Sequence, residues 1–193
     1  MNLYKFGKRV VSIALFPVYR VKVLGKENIP KEGPVIICSN HISNLDPPVV
    51  GMTCPRDIYF MAKEELFSKP ILRALMVRIN AFPIKRGMKD RNALRKGLEV
   101  LSESNVLGLF PEGTRSKTGE VKEGLAGAGF FAVRSNAQIV PCAIIGPYQV
   151  FRQLKVVYGK PIDMDEFRAN KSSAKEVTDT IMEEIKKLVE NHR

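Results

Sequence analysis

Short apolar runs that each deliver a polar loop, alternating with stretches of helical periodicity, constrain this chain most. Val35-Ile36-Ile37-Cys38, Ile58 to Ala62, Val106 to Phe110 and Ile139 to Ile145 have the length and apolar continuity of buried strands. Between them lie helical patterns. Leu66 to Ile79 places Ile71, Leu72, Leu75, Met76 and Ile79 on one face, with Arg73 and Arg78 off it. Asp90 is a candidate cap for a helix running to Ser102, with Ala93, Leu94, Leu98 and Leu101 inward. Gly124 to Asn136 is small, apolar and helical in pattern. Ser173-Ala174-Lys175-Glu176 is a capping box before Val177, Ile181, Ile185 and Leu188. Strands alternating with helices predict one α/β domain with a central, largely parallel or mixed sheet flanked by helices. Shorter strands are expected at Tyr19 to Leu24, Ala81 to Ile84 and Leu154 to Tyr158, and a helix starting near Pro47. In such sheets the loops at the strand C-terminal ends gather the site.

Three of those loops are chemically loaded. Val35 to Ser39 delivers Asn40-His41-Ile42-Ser43-Asn44-Leu45-Asp46, Ala81 to Ile84 delivers Lys85-Arg86-Gly87, and Val106 to Phe110 delivers Pro111-Glu112-Gly113-Thr114-Arg115-Ser116. His41 with Asp46 five positions on suits a general base and its orienting carboxylate, if a turn lies between them. Ser43, Asn44 and Pro47 favour such a turn. On spacing alone, Asp46 could equally cap the helix beginning at Pro47. A protein nucleophile is not evident. Ser39, Ser43 and Cys38 crowd His41, and no Gly-x-Ser-x-Gly elbow exists. If His41 is a base, the hydroxyl it activates belongs to the substrate. The Lys85-Arg86 pair beside Gly87 suits a phosphate, and Lys122 adds a cation after the Glu112 loop. Walker and Gly-x-Gly-x-x-Gly loops are absent from the sequence, which argues against nucleotide binding by those routes.

Charge adds a partner. The formal net charge is +11, with seven basic residues against one acid before Glu32, and ten against three from Lys63 to Lys96. That bias fits a polyanionic partner, either an anionic membrane surface or nucleic acid. Aromatic residues interleaved with the basic ones, as stacking on single strands requires, are scarce between Arg73 and Lys96. The N-terminal stretch is too short to span a bilayer. It reads as an interfacial helix, with Leu3, Phe6, Val10, Ile13 and Phe16 inserting while Lys5, Lys8 and Arg9 meet headgroups, or as a helix packed on the core. Three sparse cysteines, Cys38, Cys54 and Cys142, fit a reduced, cytosol-facing protein and lack zinc-site spacing.

Four ordered blocks, Asn40 to Asp46, Phe82-Pro83-Ile84-Lys85-Arg86-Gly87, Phe110 to Ser116 and Ile139-Val140-Pro141-Cys142-Ala143-Ile144, resemble those of the 1-acylglycerol-3-phosphate acyltransferases of the glycerolipid acyltransferase superfamily. The resemblance implies that fold, no cofactor, and catalysis by His41 oriented by Asp46. His41 would deprotonate the free sn-2 hydroxyl of lysophosphatidate. The resulting oxygen would attack the thioester of acyl-carrier protein or acyl-CoA, without an acyl-enzyme. It further implies that Arg86 holds the acceptor phosphate, that Glu112, Gly113, Thr114 and Arg115 shape the acceptor site with Lys122 nearby, and that Pro141 lies in the block of the acyl site. Residues 1–18 are then an interfacial segment and 19–193 the acyltransferase domain, peripheral or monotopic on the cytoplasmic membrane face, with no nucleic acid partner. Alternatives are an acyltransferase acting on glycerol-3-phosphate or another lysolipid, a thioesterase using His41 to activate water, and a basic module without catalysis. Many members of the family carry a longer hydrophobic N-terminal region than this chain does.

Overall fold

A computed structural model describes residues 3–85 and 90–193, with the Leu3 side chain outside the description. Seven strands form one sheet in the order β1-β7-β6-β2-β5-β3-β4. They are β1 (Lys22–Leu24), β2 (Val35–Ser39), β3 (Ile58–Lys63), β4 (Ala81–Ile84), β5 (Val106–Leu109), β6 (Gln138–Ile145) and β7 (Lys155–Tyr158). All neighbours pair in parallel except β6 with β7, so the sheet is mixed.

Burial on both faces explains why the central strands are continuous apolar runs. Alternate residues of β2 feed two cores. Ile36 and Cys38 join Leu107, Ile139, Phe131 and Ile181 on the side of α4 (Arg91–Ser102), α5 (Gly127–Arg134) and α7 (Ala174–His192). Val35 and Ile37 join Ile58, Val140 and Tyr4 on the side of α1 (Leu3–Val18) and α2 (Asp46–Thr53).

The expected helix ends form where the side chains can close them. Asp90 accepts from the N–H groups of Asn92 and Ala93, and Ser173 with Glu176 completes the capping box of α7. Other expectations need correction. The Tyr19 to Leu24 strand is shortened to Lys22–Leu24, because the Tyr19 and Val21 N–H groups still bond to the end of α1 and Arg20 adopts a left-handed φ of 42°. The helix expected over Leu66 to Ile79 divides into a 3-10 turn, Glu64–Phe67, and α3 (Pro70–Arg78). Pro70 forces Lys69 into an extended conformation, φ −96° and ψ 130°, which breaks the run. The stretch expected to be helical from Gly124 is helical only from Gly127 to Arg134. A five-residue helix, α6 (Asp165–Ala169), was not foreseen.

Two helices carry apolar faces that the core does not cover. No residue of α3 is buried, and Ile71 is 87% exposed. On α1, Tyr4, Val11 and Leu15 pack inward, whereas Phe6, Val10, Ile13 and Phe16 face solvent. The core-packed reading of this helix holds for its inner face, and the outer face is an exposed apolar stripe. Lys8 does not follow the expectation that it meets headgroups: it is half-buried, and its ammonium donates to the Cys54 carbonyl at the end of α2. Among the described residues no helix is long and apolar enough to cross a membrane.

Candidate functional site

β2 ends by handing the chain to Asn40 and His41. Asn40 prolongs the pairing with β6, donating from Nδ2 to the Ile144 carbonyl at 2.9 Å and accepting the Ile144 N–H at 2.7 Å. The chain then turns so that His41 Nδ1 lies 2.7 Å from Asp46 Oδ2. The same oxygen accepts the N–H groups of Ile42 at 2.6 Å and Ser43 at 2.7 Å. The other oxygen, Oδ1, accepts the Tyr148 hydroxyl at 2.6 Å. Asp46 is fully buried, and four donors occupy its acceptor sites. An acceptor facing Nδ1 sets the tautomer: Nδ1 carries the proton and the Nε2 lone pair is left for chemistry. Among the described residues Nε2 has no hydrogen-bond partner.

Asp46 is not the cap of α2. It occupies the first helical position, Leu45 is the N-cap without a side-chain bond, and the carboxylate turns back toward the histidine loop. Of the two readings that spacing left open, the geometry takes the histidine partner.

The loop after β5 holds His41 by its backbone. Glu112 Oε1 accepts the His41 N–H at 3.0 Å, and the Ser116 N–H donates to the His41 carbonyl at 2.7 Å. Glu112 is only 6% exposed, and its Oε2 has no partner among the described residues. Burial pushes its carboxyl pKa up, while the His41 N–H pulls against that shift. Glu112 therefore supports the histidine loop through its backbone. Phe110 stacks on the imidazole with centroids 4.3 Å apart, and Phe60 lies parallel to Phe110 at 6.1 Å. Gly108 makes room for that stack, since a Cβ there would stand 2.3 Å from the Phe60 ring.

The remaining candidates divide. Gly113 turns the loop with φ 68°, and Thr114, Arg115 and Lys122 are exposed beside it. Lys122 Nζ donates to the Arg115 carbonyl at 3.4 Å, which brings these two cationic residues together. Pro141 is buried within β6, opposite Cys38 of β2, and packs near Gly159. Arg86 lies outside the described residues. Its neighbour Lys85 is exposed, with Nζ 3.6 Å from the Glu64 carboxylate. The three thiols are buried and free, and burial pushes their pKa values up, which removes them as nucleophiles. No cluster of three metal-ligating side chains occurs among the described residues. A groove of about 770 Å³ lies at the β4 edge between Phe67, Val77, Phe82 and Lys96, and does not include His41.

Residues 20–145 match the family model described as Acyltransferase, well over half of the chain. The chain belongs to the acyltransferase family. Within it, the 1-acyl-sn-glycerol-3-phosphate acyltransferase of Bacillus subtilis is 29% identical over 194 residues, covering 96% of each protein. A chloroplastic enzyme of the same name from Arabidopsis thaliana is 32% identical over 144 residues, 72% of this chain and 40% of that one. The crystal structure of the 1-acyl-sn-glycerophosphate acyltransferase PlsC from Thermotoga maritima superposes with a TM-score of 0.77 at 30% identity, over 98% of this chain and 77% of that one. The acyltransferase blocks read from the sequence contain His41, Asp46, Glu112 and Phe110, but not Tyr148, which meets Asp46 from 102 positions away. A tyrosine in a Gly-Pro loop after a strand carries no local sign of that contact.

Proposed function

We propose that the protein transfers an acyl group from an acyl thioester, of acyl-carrier protein or CoA, to the sn-2 hydroxyl of 1-acylglycerol 3-phosphate, giving phosphatidate. The observation that carries this reading is His41 with Nδ1 engaged by buried Asp46 and Nε2 without a partner among the described residues. Nε2 takes the proton of the acceptor hydroxyl as its oxygen attacks the thioester carbonyl. The C–S bond then breaks, and the imidazolium returns the proton to the departing thiolate. Asp46 holds the tautomer and stabilises the cation formed between those two transfers. No acyl-enzyme is needed, and the buried, neutral thiols around His41 support a direct transfer.

Arg86 is proposed to bind the acceptor phosphate, with Arg115 and Lys122 as exposed cations on the loop that holds His41. Glu112, Gly113 and Thr114 are proposed to shape the acceptor site with Arg115, and Pro141 is proposed to contribute to the acyl side from within the sheet. The outer face of α1 supports attachment to the cytoplasmic face of a membrane, peripheral or monotopic, with residues 19–193 as the catalytic domain.

Purified protein supplied with lysophosphatidate and either donor should form phosphatidate, and His41→Ala should lower the rate by about 10²–10⁴-fold. Substantial activity in that variant would remove His41 as the base. Free acid released at the same rate without acceptor would instead indicate a thioesterase. Arg86→Ala should raise the KM for lysophosphatidate and leave that for the thioester unchanged. Equal turnover of an acceptor lacking phosphate would refute the phosphate contact.

A further inference from the structure

The end of the sheet that carries His41 also carries a surface that neither the core nor the proposed chemistry uses. β6 runs toward this rim, so the turn between β6 and β7 stands on it. Val150 and Phe151 form its tip, 59% and 71% exposed. Phe151 adopts φ 60°, a conformation that a bulky L residue rarely takes, and its side chain is held out in water rather than folded in. The turn is nevertheless fixed. The Phe151 N–H donates to the Val18 carbonyl at 2.7 Å, and the Arg152 N–H to the Gln149 carbonyl at 3.1 Å. The first of these bonds makes the tip continuous with the end of α1, where Ile13 is 70% and Phe16 36% exposed.

Behind the tip lies a groove of about 460 Å³ whose charged lining is Arg20, Arg152, Lys155 and Arg193, with no acidic side chain. A second groove shares Ile145, Gly146 and Arg193 with it and reaches Ile42, the neighbour of His41. Apolar side chains projecting from a fixed turn beside clustered cations match an anionic interface with an apolar layer beneath it. An acidic protein would satisfy the cations but would leave a phenylalanine and a valine on a tight tip with little to fill.

We infer that the β6–β7 turn is a membrane-docking wedge, in which Val150 and Phe151 enter the acyl region of an anionic phospholipid bilayer while Arg20 and Arg152 bind headgroup phosphates. This deepens the proposed function and rests on it for the wedge's purpose, although its test reads binding alone. Tyr148 of the same loop reaches Asp46, so the wedge sits beside the histidine.

The chain contains no tryptophan, so Phe151→Trp supplies a single reporter. Its emission should shift to the blue on adding vesicles of phosphatidylcholine with phosphatidylglycerol. Val150→Ser combined with Phe151→Ser should weaken vesicle binding about tenfold, and Phe151→Leu should restore it. Arg20→Gln with Arg152→Gln should weaken binding to the anionic vesicles and leave binding to phosphatidylcholine alone unchanged. All these variants should keep wild-type activity on detergent-dispersed lysophosphatidate, which shows that they fold. Unshifted emission together with unweakened binding of the serine pair would overturn the wedge. Emission that responds to acyl-carrier protein but not to vesicles would assign the surface to the carrier and equally overturn it. Normal vesicle binding by wild-type protein that forms no phosphatidate would sink the proposed reaction and leave the wedge standing.

Discussion

At the scale of single residues, the site is a histidine held by more groups than it could recruit locally. Asp46 fixes Nδ1, Glu112 and Ser116 fix the backbone, Phe110 lies on the ring, and Tyr148 fixes Asp46. Burial and the Asp46 charge push the Tyr148 phenol pKa well up, so it acts as a neutral donor throughout the working range. Tyr148→Phe removes that donor while keeping the ring against Tyr19. We expect kcat to fall about tenfold with little change in KM, since a carboxylate oxygen left without its partner loses about 1–3 kcal/mol of support. Equal loss through KM would point to a binding role instead. Glu112 gives a pH prediction. Its pKa is raised from 4.5 in the fold, so the native state binds the proton more tightly than the unfolded chain. The stability that Glu112 contributes must then fall as pH rises from about 4.5 through the raised value, and its loss is complete above it. Glu112→Gln keeps an acceptor for His41 and removes the ionisation. Denaturation midpoints measured across that range should decline less in the variant than in the wild type.

At the scale of elements, what could be read in advance was whatever the chain encodes in neighbouring residues. β2, β5 and the capping box of α7 announce themselves through apolar runs or through two side chains three apart. The fate of an apolar stripe is different. Ile71, Leu75 and Ile79 have the spacing of a packed face, yet they stay exposed on α3 and at its C-terminal cap, because coverage depends on what the rest of the fold brings to that edge. The same limit applies to Asp46, whose competing roles are decided by a turn and by a tyrosine from a distant loop. α1 shows a practical consequence. Tyr4 is buried and its hydroxyl accepts the Ile58 N–H at 3.1 Å, so deleting residues 1–16 would open the core as well as remove the exposed apolar stripe. Ile13→Ser with Phe16→Ser is the cleaner change. It should weaken vesicle binding with no loss of thermal stability, whereas truncation should lower both. A drop in melting temperature in the double variant would contradict the exposed placement of those two side chains.

At the scale of the whole molecule, the sheet is an aromatic and aliphatic laminate in which small residues set the spacing. Gly108→Ala would drive its methyl into the Phe60 ring and disturb the stack that ends on His41. We expect a cost of about 1–3 kcal/mol in unfolding free energy, measured by denaturant titration, with activity lost beyond what the unfolded fraction explains. A stable variant with unaltered rates would show that the stack does not position the histidine. The net charge of +11 adds a property of the molecule as a body. Vesicle binding should weaken as salt shortens the screening length to about 10 Å near 0.1 M, with the apolar contribution persisting. Charge could be counted from the sequence, but its gathering into a groove lined by no acidic side chain could not, because the pairing of β1 with β7 brings Arg20 beside Arg152 and Lys155.

That pairing has one more outcome. β7 runs against β6, and β1 follows β7, so the chain enters the sheet from the same edge at which β2 releases His41. Had those two strands run with the others, α1 would finish at the opposite edge, about 17 Å away along a five-residue strand. The reversal places the helix end, the aromatic tip and the histidine on one shoreline, so strand direction alone sets the span between the exposed tip and the imidazole.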